Sequence, residues 1–182
     1  MKIEEKEIVL KTGEILKLFS PVEKHAEELA EHFNKIVCET NFLASGIESG
    51  FKTAEDELAW LERMNPSENN FIVSASVDGK IVGLGNLNCK SKNPRLKHIS
   101  CLGVSVQKEY WGKGIAKAIM TELVDNAEKL GYEQIELEVV KDNASAINLY
   151  TKFGFVKTGV HEKGMKYSDG TYADLLFMVK YF

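Results

Sequence analysis

Gly112-Lys113-Gly114 stands between a β-prone run ending at Val106 and an apolar stripe that begins at Ile115. A strand-to-helix turn at that point gathers unpaired backbone N–H groups and the positive end of a helix. Such a turn suits an anion: glycines let the main chain approach it, and Lys113 would add charge at the rim. Farther along, Glu138 shares a strand face with Glu136, opposite Ile135, Leu137 and Val139. An internal strand covered by helices is apolar on both faces, so two carboxylates imply a wet groove or a sheet end in solvent. In a groove, a carboxylate is a proton acceptor. Asn143 and Tyr150 are seven residues apart, two turns of a helix, so the spacing directs both to one side where one ligand could meet them. Tyr150 has a plainer role open to it as well, packing beside Ile147 and Leu149. His25, His32, His98 and His161 show no metal-ligand spacing, and no metal is expected.

Two familiar nucleotide motifs fail at the glycine turn. GxxxxGK followed by Ser or Thr occurs nowhere, and the third glycine of GxGxxG is absent. Composition narrows the classes further. The net charge is −4, from 23 basic and 27 acidic residues mixed along the chain, so no cationic field draws it to nucleic acid. Cys38, Cys89 and Cys101 are odd in number and contain no CxxC, which argues for thiols in a reducing compartment rather than disulfides or zinc. The first residues are charged and no run of about 18 apolar residues occurs, so export and membrane insertion are not expected and the cytoplasm is.

The elements that must position these residues follow from patterning. A hairpin is predicted over residues 7–10 and 14–19 around Thr12-Gly13. An amphipathic helix over 22–38 carries Leu29, Ala30, Phe33, Ile36 and Val37 on one side, with Glu, Lys and His on the other. Residues 39–51 form a loop, and Thr53 with Asp56 resembles a capped helix start. Asp78-Gly79 joins strands over 71–77 and 80–88. A strand over 97–106 leads through the glycine turn to a helix closed by Gly131. Next come a strand around Ile135, a short helix over 143–152, and final strands over 155–160 and 172–179. The strand-helix-strand order demands a parallel crossover among otherwise antiparallel neighbours. The expected fold is therefore α/β (α+β): one domain over 1–182, with a mixed, mostly antiparallel sheet and helices on both faces.

Val104-Ser105-Val106 followed by Tyr110-Trp111-Gly112-Lys113-Gly114-Ile115-Ala116 resembles the acetyl-CoA signature of the GNAT superfamily of N-acetyltransferases. That signature reads Gln or Arg, any two residues, Gly, any residue, Gly or Ala. With Gly114 and Ala116 in the last two places, Trp111 stands where Gln or Arg is usual, a substitution similar to the ribosomal-protein N-terminal acetyltransferase branch. A second, more specific likeness is the ordered string from Leu137-Glu138-Val139-Val140 through Asn143, Ala146-Ile147-Asn148-Leu149-Tyr150 and Phe153-Gly154-Phe155.

The resemblance implies an acyltransferase that moves acetyl from acetyl-CoA to a primary amine. It assigns the cofactor's pantetheine arm and carbonyl oxygen to main-chain N–H groups around Val104, Ser105 and Val106, freed where two strands part. The phosphates go to Trp111 through Ala116, and Asn143 lies on the arm. Tyr150, beside the sulfur, returns a proton to the thiolate, and Glu138, twelve residues earlier, matches that branch's base; Glu39 in the first interhelical loop is the reserve. Tyr172 and Asp174 line the acceptor groove by the same likeness. The acceptor is a small-molecule amine or a protein N-terminus; neither nucleic acid nor membrane is expected as a partner, and a homodimer stays open. A non-catalytic acetyl-CoA sensor is the rival reading, and it has no need of Glu138 and Tyr150.

Overall fold

The computed structural model describes residues 2–182. Its centre is one eight-stranded sheet: β1 (Lys6–Val9), β2 (Ile15–Phe19), β3 (Phe71–Val77), β4 (Lys80–Cys89), β5 (Ile99–Val106), β6 (Gln134–Val140), β7 (Val156–Lys166) and β8 (Tyr172–Tyr181). The spatial order is β1-β2-β3-β4-β5-β6-β8-β7, and only β5 and β6 pair in parallel. The four α-helices are α1 (Ala26–Glu39), α2 (Ala54–Met64), α3 (Ile115–Lys129) and α4 (Ala144–Lys152).

Each face of the sheet takes a different set of side chains. Leu18, Phe71, Val73, Leu87, Leu137 and Met178 pack in one core with Ile119 and Leu123 of α3 and Tyr150 of α4. On the other face Ile72 and Ile81 pack with Ala26 and Leu29 of α1 and Leu61 of α2. α3 rides close over β4 because that strand offers glycine there. A Cβ on Gly85 would stand 2.3 Å from Ile119 Cγ2, far inside any contact a real atom tolerates.

Local chemistry explains the boundaries. Thr53 and Asp56 form a reciprocal cap at the start of α2, the Thr53 N–H donating to Asp56 Oδ2 at 2.9 Å and the Asp56 N–H to Thr53 Oγ1 at 3.3 Å.

The structure corrects several expected limits. The first helix starts later than residue 22, because a separate 3₁₀ turn occupies Glu23–His25. Glu39 closes α1 instead of opening a loop. Asn143 precedes α4 as its N-cap rather than belonging to it. The strand expected over 155–160 runs on to Lys166 through an irregularity between His161 and Met165. No described helix is long and apolar enough to cross a membrane.

Candidate active site

The site is built on a parting of strands. β5 and β6 pair only through Ile99↔Gln134, Ser100↔Ile135 and Cys101↔Glu136, whereas β5 stays paired with β4 through Val106. From Leu102 onward a gap opens between the parallel strands at their carboxyl ends, where open α/β sheets hold ligands.

The ladder to β4 decides which peptide groups face that gap. Lys90 N–H donates to Ile99 C=O and Gln107 N–H to Val82 C=O, both at 2.9 Å. In an antiparallel pair the bonding residues alternate, so Ser105 shares this orientation while Val104 and Val106 turn their N–H groups the other way, into the gap. The Val106 carbonyl accepts the Trp111 indole N–H at 2.7 Å, which ties the glycine turn to the strand end.

At the turn Gly112 has φ +77° and Gly114 φ +94°, the left-handed region in which a side chain is strained. The helix begins at Ile115. Among the described residues, the N–H groups of Gly112, Gly114, Ile115 and Ala116 have no backbone acceptor. They form a cluster of donors at the positive end of a four-turn helix. The ammonium of Lys113 does not point there: it bonds Glu14 at 2.9 Å and lies 4.7 Å from the centre of the Tyr110 ring. Its hydrogen bond to Glu14 holds its pKa above the usual lysine value.

β6 sends its side chains to opposite sides. Ile135, Leu137 and Val139 enter the core under α3 and α4, so Glu136 and Glu138 occupy the other face. Glu136 is ion-paired with Lys90. Glu138 is exposed, and among the described residues its carboxylate has neither hydrogen bond nor ion pair.

Tyr150 lies on the far side of the sheet in that core, only 9% exposed, its ring 5.8 Å from that of Phe155. Burial pushes its phenol up to about 12, and among the described residues its hydroxyl has no hydrogen-bond partner. The two groups with acid–base capacity thus sit on opposite faces of the sheet, and the gap is the way between them.

Asn143 Oδ1 accepts the Ala146 N–H at 3.1 Å. The carboxamide oxygen is spent on capping α4, which leaves its NH₂ to meet a ligand. The Glu39 carboxylate accepts the Lys108 N–H at 2.7 Å, a use that anchors α1 to the segment before the turn. Asp174 is engaged twice, by the Lys163 N–H at 3.0 Å and by Lys141 Nζ at 3.1 Å; the first of these leads in holding its carboxyl below the usual range. Tyr172 is exposed, with the cations of Lys163 and Lys166 5.8 and 5.7 Å from its ring.

A polar cluster escaped the sequence reading. His32, assigned to the solvent side of its helix, is 1% exposed. Its Nε2 lies 2.9 Å from Ser105 Oγ and its Nδ1 3.4 Å from Gln107 Nε2. The Gln107 amide nitrogen can only donate, so Nδ1 accepts and Nε2–H donates to Ser105. The available signal was the spacing of Leu29, His32 and Ile36, which places the histidine on the buried stripe. The cluster holds α1 against the length of β5 whose other peptide groups face the gap.

Comparison with known proteins identifies the family and matches the fold. The family model described as Acetyltransferase (GNAT) family matches residues 24–155. L-amino acid N-acetyltransferase AaaT of Escherichia coli K12 is 32% identical over 124 residues, 66% of this chain and 74% of that protein. [Ribosomal protein bS18]-alanine N-acetyltransferase of the same organism is 31% identical over 75 residues, and the match spans 41% of this chain and about half, 51%, of that relative. Among solved structures, yncA of Salmonella typhimurium, determined with its cofactor acetyl-CoA, superimposes with a TM-score of 0.81 over 91% of this chain and 93% of that one, at 19% identity.

Proposed function

Because the chain belongs to the GNAT acetyltransferase family and is an N-acetyltransferase, we propose that it transfers acetyl from acetyl-CoA to a primary amine by direct attack at the gap between β5 and β6. The observation that carries this reading is the gap itself, with unengaged Val104 and Val106 N–H groups on one wall and the donor-rich start of α3 at its open end. The donor set suits a ligand anionic at one end and bearing a polarised carbonyl farther in.

Bound there, acetyl-CoA supplies an acyl group activated as a thioester. The N–H groups of Gly112, Gly114, Ile115 and Ala116 hold the phosphates, and the Asn143 NH₂ meets the pantetheine arm. Val104 and Val106, two residues apart on β5, serve different acceptors: one N–H donates to the carbonyl oxygen as negative charge develops on it and the other to the pantetheine arm. Glu138, on the acceptor side, takes the proton that turns an ammonium into a nucleophilic amine. Tyr150, on the other side, donates a hydrogen bond to the departing sulfur. Its high pKa keeps it protonated at every working pH. A phenol near 12 does not yield its proton outright to a thiolate of ordinary pKa, about 8.5, so the proton it passes is replaced by the one the attacking nitrogen sheds. Atoms balance as amine plus thioester giving amide plus thiol.

The acceptor is an amine of a small molecule or of a peptide N-terminus, in keeping with the activities for which the two relatives are named. The three free thiols support a reducing setting such as the cytoplasm.

A thiol-release assay with acetyl-CoA and a panel of primary amines tests the reading. Turnover of at least one amine is expected, and cofactor binding with turnover of none would overturn it. Tyr150→Phe should lower kcat by about a hundredfold while acetyl-CoA affinity changes less than threefold. Equal loss of both would make Tyr150 a packing residue.

A further inference from the structure

The sheet face that bears Glu138 continues across β8 and β7. Glu138 lies directly opposite Phe177, and residues so paired point the same way with Cβ atoms roughly 5 Å apart. Phe177 in turn lies opposite Gly159, where an added Cβ would stand 3.6 Å from ring atom Cδ2. The ring of Phe177 thus reaches over β7 at Gly159. His161, farther along that strand, sets its ring nearly parallel to Phe177, with 8° between the planes and 6.2 Å between centroids. Phe177 remains 37% exposed, a large apolar surface beside a carboxylate with no partner among the described residues. Lys90 is paired with Glu136 and Lys141 with Asp174, so the surroundings of Glu138 offer an acceptor a negative charge and flat aromatic faces.

We propose that Phe177 and His161 set acceptor specificity: the preferred amine carries an aryl group, about two carbons from its nitrogen, that lies on Phe177 while the nitrogen meets Glu138. The spacer follows from the cross-strand distance, since ring centre to nitrogen in an arylethylamine is also about 5 Å. Ring-on-ring contact adds to plain burial because the aromatic quadrupoles align edge to face or offset. This inference rests on the acetyl-transfer reading above.

The test compares 2-phenylethylamine with butylamine at saturating acetyl-CoA, by thiol release, for the wild-type chain and for Phe177→Ala, Phe177→Leu and His161→Ala. The wild type should favour the aryl amine at least tenfold in kcat/KM. Phe177→Ala should cut that ratio about tenfold, chiefly through KM of the aryl amine. Phe177→Leu keeps an apolar side chain without a flat face and should lose most of the ratio as well, and His161→Ala a smaller part. A wild type with no aryl preference overturns the proposal. So does Phe177→Ala lowering both amines equally, and so does that loss accompanied by a change from dimer to monomer in sedimentation, which would assign this face to a second copy of the chain. Absence of turnover with either amine in the wild type overturns this inference alone; the acetyl-transfer reading falls only when the wider panel of primary amines, peptide N-termini included, is not turned over either.

Discussion

Glu138 and Glu39 illustrate how two carboxylates of like chemistry come to differ in use. Glu39 accepts a backbone N–H and so holds one segment against another; Glu138, on the edge of the gap, has no partner among the described residues. A base must reach its proton without first giving up another partner. Glu138→Gln, which keeps shape and removes basicity, should therefore lower kcat/KM for the amine about a hundredfold and leave acetyl-CoA affinity within a factor of two, as read by steady-state kinetics and calorimetric titration. Glu39→Gln keeps an acceptor oxygen for Lys108 and should alter the rate by less than threefold; a larger effect would make it the base. Both residues were legible in the sequence as candidates. The resemblance put Glu138 first and Glu39 in reserve, but the Lys108 N–H that engages Glu39 was not legible, because it comes from a segment far along the chain.

The start of α3 is the element on which cofactor binding depends. Gly114 at φ +94° lets the chain enter the helix with its first N–H groups exposed together. Open space surrounds the position a Cβ would take, so the cost of adding one is backbone strain and obstruction of the donors. Gly114→Ala should destabilise the protein by about 1–2 kcal/mol and weaken acetyl-CoA about tenfold in calorimetric titration. Retained affinity with the same loss of stability would separate the turn from the binding site. Glycine spacing made this turn visible in the sequence, but the direction of Lys113 was not visible. Glu14 and Tyr110 draw its ammonium aside, and Glu14 belongs to the turn between β1 and β2. α4 gives a parallel lesson. Seven-residue spacing would put Asn143 and Tyr150 on one helical face, yet Asn143 caps the helix instead, because its short carboxamide satisfies an otherwise orphaned N–H.

Across the whole molecule, the two faces of the sheet are joined through the gap, and the fold must hold that gap open. The His32–Ser105–Gln107 cluster does part of this work from the α1 side. Desolvation leads, with Lys35 adding to it, in lowering the His32 pKa from an ordinary 6.5 to about 4. The folded protein thus binds this proton more weakly than the unfolded chain. The corresponding stability is present above pH 6.5 and is lost as pH falls from there towards 4, to a total of about 3 kcal/mol. Urea unfolding at pH 7 and pH 5 should show a loss of about 2 kcal/mol from this group. His32→Asn, less stable at pH 7, should show a correspondingly smaller drop; an unchanged drop would clear His32 of the effect.

Local rules sufficed for much of this protein. Periodicity placed the helices and strands, and Thr53 with Asp56 and the glycine turn marked boundaries, since each of these signals acts between residues close in sequence; the ordered string from Leu137 to Phe155 pointed to acyl transfer through its resemblance to the GNAT superfamily. What only the tertiary structure decided is long-range. The register that stops β5–β6 pairing at Cys101, the alternation that turns Val104 and Val106 into the gap, the burial of His32, and the placing of Phe177 opposite Glu138 all arise between segments far apart in the chain. Hydrogen-bond ladders and packing set these relations across the sheet, and no spacing within one segment encodes them.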